Sequence, residues 1–185
     1  MRWATPPGHT DFQGLAYSHA AADRLRSGMT LSPTLPALLL FLHLLSVTFW
    51  VGGMAVMHFA VRPAAVAMLE PPQRLGFMAA ALSRFFVGVS VAVAVALASG
   101  FALVGLMGGF ARVHWSVHGM FTLGLVMTAL FLHVRFAPFR RLQRAVTAAQ
   151  WPVATAQLAS VRKLVAVNLT LGVLVYALAI VGRAL

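Results

Sequence analysis

Seven histidines and nine methionines, in a chain of 185 residues without cysteine, are the side chains able to hold a metal or redox group. His43 and His58 stand fifteen residues apart in one apolar run, and His118 and His133 stand fifteen apart in another. On a helix that spacing is a rise of about 22 Å and a net rotation of about 60°. Both imidazoles of a pair therefore lean to one side, one near each end of the run. The absence of cysteine excludes disulfides, cysteine-ligated iron–sulfur clusters, thiolate haem ligation and covalent c-type haem attachment. His, Met, carboxylate or backbone must supply any ligand.

The elements that position these residues are membrane spans. The chain is 61% hydrophobic and only 9% charged, far too few charges to cover a soluble surface. The run 35–61 holds no Asp, Glu, Lys or Arg, is long enough to cross a bilayer, and starts at Pro36 with its end expected at Arg62-Pro63. Further spans are expected over about 85–106, 113–137 and 164–181. The Val-rich second run is read as helix because a backbone in lipid must satisfy its own hydrogen bonds. Between spans, Pro71-Pro72 breaks the chain and Gln73 to Arg84 leads into the second span. Leu142 to Val161 has the spacing of an amphipathic interfacial helix. The expected architecture is all-α, an integral membrane four-helix up-and-down bundle over 35–185, preceded by a polar segment over 1–34. In that segment His9, His19, Asp11 and Asp23 are a weak metal pattern, and the order expected of a cleaved signal peptide is absent.

Net charge is +11, but the basic residues lie between the apolar runs and point to anionic head groups and topology, not to nucleic acid. Nine of them flank the two larger connections: Arg62, Arg74, Arg84, Arg135, Arg140, Arg141, Arg144, Arg162 and Lys163. Five lie on the other side: Arg2, Arg24, Arg26, Arg112 and Arg183. The positive-inside rule then puts both termini outside and the larger connections in the cytoplasm, as expected of a multi-pass protein of the bacterial inner membrane.

In an up-and-down bundle the first and third spans run parallel. His43 and His118 then fall at similar depth near one face, and His58 and His133 near the other. Two bis-histidine layers are what two b-type haems need, an imidazole on each side of each iron. Gly52 and Gly53, with Gly119 and Gly124, are candidates to admit the flat ring. Arg112 on the outer side and Arg62, Arg84 or Arg135 on the inner side are candidate partners for propionates. His114, one turn from His118, competes with it as outer ligand. Copper offers an alternative, because Met54, Met57 and His58 form a soft cluster, with Met120 beside His118, and thioethers with imidazole suit Cu(I).

The pieces "LHLLSVTFWVGGMAV", "RP" after the first span, "SRFF", "VHGMFTLGLVMTAL" and "VRKLVAVNLTLGVLVYALAIVG" resemble the copper resistance D family of membrane proteins. That resemblance implies copper uptake, and a layout similar to a membrane protoporphyrinogen oxidase that binds haem b. On this comparison His43 matches the first-span histidine, and Trp115 with His118 matches a Trp–His motif. Gly119 and Met120 stand where its following Lys would be, which argues against porphyrin oxidation. With His58 and His133 added, the ligand set is similar to that of small b561-type dihaem cytochromes.

Taken together, the expected function is a dihaem b-type cytochrome moving electrons at or across the membrane to a quinone or a redox partner protein. His43, His58, His118 and His133 would be the iron ligands. The alternative is copper uptake or delivery by His and Met. A third reading is a membrane subunit whose histidines only join helices, and the residues leave enzymatic activity and homodimerisation open. No carboxylate lies within any span, so a carboxylate proton relay is not expected.

Overall fold

The computed structural model describes residues 33–182, and among them there is helix and turn but no strand. The packing below is that of the described residues from Leu38 onward, which belong to one compact unit. Except for Pro33 and Thr34, the polar segment 1–34, with its His9, His19, Asp11 and Asp23, lies outside the described residues, as does Arg183.

Four helical rods are long and apolar enough to cross a membrane. The first comprises α1 (Thr34–Val56), a π-helical turn (Met57–Val61) and α2 (Arg62–Met68). Pro63 was expected to end it, yet the rod continues. The π turn immediately before Pro63 explains this: the Arg62 amide donates to Met57 O, five residues back. The wider turn accommodates a residue that has no amide hydrogen and whose ring crowds the preceding turn. The rod stops at Met68, where Leu69 is extended, and Pro71-Pro72 then opens α3 (Pro71–Leu106) at positions where a missing amide hydrogen costs nothing. α3 therefore starts at Pro71, well before the expected 85, and absorbs the lead-in from Gln73.

A close turn follows α3. The Gly109 amide donates to Val104 O and the Gly108 amide to Gly105 O, a helix stop that needs left-handed backbone. Gly108 supplies it at φ +93. After a 3₁₀ turn (Phe110–Arg112) come α4 (Trp115–Phe136), α5 (Pro138–Thr147) and α6 (Trp151–Val181). The expected interfacial helix over 142–161 is two elements. Its first part belongs to α5, whose apolar side packs inward through Phe139, Leu142 and Ala145. Its second part is the lower half of α6. The stop between them has the same hydrogen bonds as that of α3, Gln150 to Ala145 O and Ala149 to Val146 O. Here Ala149, at φ 53, occupies the left-handed position that glycine usually takes.

Neighbouring rods run antiparallel. On α1, His43 meets Ala96 of α3 while Gly53 meets Phe85. On α4, Gly119 meets Leu178 of α6 while Met127 meets Gly172. α3 is the most enclosed rod, buried at intervals from Leu75 to Val104. The core gathers Trp50, Val51 and Met54 of α1, Phe86, Val89 and Val93 of α3, Met127 and Phe131 of α4 and Phe139 of α5. Phe86 meets Phe131 and Phe139 edge to face, with centroids 5.8 and 4.9 Å apart. Outside the core most large apolar side chains are exposed, as a lipid-facing bundle requires.

Most hydroxyls in the spans bond to a carbonyl four residues back on their own helix, as Ser90, Thr122, Thr128 and Thr170 do. Polar links that cross between helices include His43 to Ala96 and Ser99, and Thr48 to Tyr176 at 2.8 Å. Asn168 of α6 is 4% exposed, and its Oδ1 has no hydrogen-bond partner. Removing a buried unpaired acceptor relieves its desolvation cost. Asn168→Leu is accordingly expected to stabilise the purified protein by about 1–3 kcal/mol, read from reversible unfolding in mixed micelles. A loss of stability would show that Oδ1 is engaged in the folded protein.

Candidate functional site

The four histidines of the expected iron layers go to different surroundings. His43, half-buried, turns toward α3: its Nδ1–H donates to Ala96 O at 2.9 Å, with Ser99 Oγ at 3.3 Å. The Ala96 carbonyl fixes the tautomer and leaves Nε2 as the lone-pair nitrogen. His118 is exposed near the start of α4, its Nδ1 3.4 Å from His114 O and its ring 5.9 Å from that of Phe110. His133 is exposed near the other end of α4. His114, the competing outer ligand, caps α4 instead, accepting from the Ser116 amide.

His58 lines a cavity. It is half-buried, and its ring stands edge to face on Phe59. The cavity, about 300 Å³, opens between the first rod, α3 and α6 at the arginine-rich end of the bundle. Met57 and His58 reach it from the π turn, Arg62 and Val66 from α2, Arg74, Leu75, Met78 and Leu82 from α3, and Leu158, Arg162 and Val165 from α6. π turns recur at functional sites because the inserted residue fans neighbouring side chains apart. Here one places two adjacent ligand-type side chains on the same cavity.

The soft cluster expected from sequence, Met54 with Met57 and His58, is therefore divided. Met54 is 2% exposed and packed in the core near Trp50 and Phe86. Met78 of α3 takes its place at the cavity. Nothing in the local sequence around Met78 marks it, because only the packing of the first rod on α3 brings it to the cavity that His58 lines.

Of the four glycines expected to admit a macrocycle, two have a side chain close against them. A Cβ on Gly53 would run into the Phe85 ring, and one on Gly119 into Leu178. These glycines seat neighbouring side chains. Gly52 and Gly124 have open space beside them, Gly52 on the exposed side of α1. Arg84 is exposed on α3, and Arg112 is exposed in the 3₁₀ turn beside Gly108. Of the arginines proposed as inner propionate partners, Arg135 lies 5.7 Å from the Phe139 ring centre. Arg62 is the one at the cavity.

Comparison with known proteins gives one match. A family model described as Copper resistance protein D matches residues 79–182, more than half of the chain. It begins within α3 and ends just after α6, so α1 and the π turn lie outside it. No curated protein and no solved structure matches. The family match overturns the dihaem cytochrome reading and, with it, the expected electron transport, oxidoreductase and haem character. The side chains agree with that correction: among the described residues no three His, Asp or Glu groups gather where they could hold a metal. The four spans and the match agree with a multi-pass protein of the bacterial inner membrane.

Proposed function

The chain belongs to the copper resistance protein D family, and from that premise we propose that it takes up or delivers copper, holding Cu(I) between Met57, His58 and Met78. One observation supports this most: those three side chains, from two rods, line one cavity. Two thioethers and an imidazole are a soft and neutral donor set, the type that favours Cu(I) over harder cations. Three donors also match an ion content with low coordination number, and they leave the metal accessible from the open side for release. Copper in this reading is cargo. Met57 and His58 are half-buried and Met78 is buried, but all three line the cavity, whereas Met54 lies in the core away from it.

The test is Cu(I) titration of the purified protein against a chelator of known affinity, followed by X-ray absorption on the loaded sample. One ion per chain with both sulfur and nitrogen neighbours is the expected result. A shell of nitrogen and oxygen alone, or no copper retained against the chelator, would overturn the assignment.

A further inference from the structure

Three arginines line the cavity together with the proposed copper ligands, and each comes from a different helix. Arg62 opens α2, Arg74 lies in the first turns of α3, and Arg162 lies in α6. Arg62 and Arg74 are half-buried and Arg162 is exposed. The described residues contain a single carboxylate, Glu70, which is exposed at the corner between α2 and α3, and no ion pair forms among them. Like charges around one partly enclosed volume repel. A fold that assembles them from three helices without a counter-charge among these residues needs one from elsewhere.

The cavity walls narrow the chemistry of that counter-charge. Val66, Leu75, Leu82, Leu158 and Val165 are apolar, and of these Val66 of α2 is exposed on the outer side of the bundle. We infer that the cavity binds a phosphate-type oxyanion, the group shared by an anionic lipid headgroup and by free phosphate. Guanidinium forks match phosphate oxygens two at a time. Basic cavities between helices at a cytoplasmic face are suited to such headgroups. General attraction of a basic face for lipid would treat every arginine at this end alike, but these arginines differ. Arg135 and Arg140 lie against aromatic rings, 5.7 and 5.3 Å from the ring centres. Arg141 is exposed on α5 and does not line the cavity.

This site goes beyond the copper reading and stands without it. Its relation to copper is electrostatic: a bound oxyanion removes repulsion that Cu(I) beside three guanidiniums would otherwise meet.

The experiment uses the full chain in chelated, copper-free buffer. Thermal unfolding and native mass spectrometry are recorded in phosphatidylcholine nanodiscs with and without phosphatidylglycerol, and in phosphatidylcholine with added inorganic phosphate. Phosphatidylglycerol is expected to raise the melting temperature and to stay bound as a discrete adduct. Arg162→Gln should weaken that binding about tenfold, Arg62→Gln and Arg74→Gln likewise, and Arg141→Gln should leave it unchanged. Because Arg162 is exposed, its variant tests the site even where the half-buried arginines prove necessary for folding. A shift produced by inorganic phosphate as well, lost in the same variants, supports the site with free phosphate as its occupant. No shift with either, or an equal loss in Arg141→Gln, overturns it. A Met57→Leu, His58→Ala double variant should keep the lipid response whatever it does to copper, so the two readings fail separately.

Discussion

Phe86→Ala is expected to cost the folded bundle about 2–3 kcal/mol. Phe86 is 2% exposed at the middle of α3, with Phe131 and Phe139 edge to face and Phe85 tilted against it at 5.9 Å. In water-soluble cores such truncations cost roughly 3–5 kcal/mol, as lost transfer from water plus the unfilled space left behind. In a membrane the first part largely disappears, because a separated helix still has its phenyl rings in hydrocarbon. What is lost is contact: three aromatic partners and the close-packed surroundings from which no lipid tail can substitute. Unfolding of wild type and variant in mixed micelles reads the difference, with Phe41→Ala as the comparison. Phe41 is 60% exposed on α1, and its truncation is expected to change stability by less than about 0.5 kcal/mol. Equal losses at the two positions would mean that burial in this bundle is not what stabilises it.

The second large effect concerns copper. His58→Ala is expected to weaken Cu(I) binding roughly 100-fold, about 2.7 kcal/mol, with Met57→Leu and Met78→Leu each weakening it less. The imidazole is the only nitrogen donor among the three, and its loss leaves two thioethers, which cannot complete a tight shell. Met54→Leu gives the discriminating contrast. From sequence Met54 belongs with Met57 and His58; in the structure it is sealed in the core, and Met78 holds the third position. Cu(I) affinity unchanged in Met54→Leu and reduced in Met78→Leu is the expected pattern, measured by chelator competition. The reverse pattern would return the ligand set to the first rod alone.

What could be read from the sequence was mainly depth. Apolar length gave four spans, and the Pro71-Pro72 break was legible because two prolines cannot continue a helix but can begin one. The spacing of histidines gave their positions along the rods correctly, in the sense that His58 and His133 both lie toward the arginine-rich end. It did not give azimuth. A rotation of 100° per residue, uncertain over a long rod, decides whether an imidazole faces a helix, a cavity or lipid. Thus His43 goes to Ala96, His58 to the cavity and His133 to the outside.

Two of the missed boundaries each have a local reason. Pro63 does not stop the first rod because a π turn absorbs it, and no residue pattern announces a π turn. The break at Ala149 carries no glycine, so the usual sign of a left-handed stop was missing. Met78 and the convergence of Arg62, Arg74 and Arg162 were invisible for a third reason, since both exist only once three rods have been placed side by side. A glycine in a sequence says that something could come close, not what it is; for Gly53 it is Phe85 and for Gly119 it is Leu178.

The enclosure of α3 has a consequence for how this chain can change over generations. Its buried positions recur along nearly the whole rod, from Leu75 to Val104, while much of the surface of α6 meets only hydrocarbon. A lipid-facing Val that drifts to Leu or Ile exchanges one hydrocarbon neighbour for another and leaves fitness nearly untouched. A change on the inner stripe of α3, as at Phe86, has to be matched on both α4 and α5. Two distant descendants of this chain would therefore keep α3 and let the outer faces of the other rods diverge, so that their common ancestry would be written along one helix.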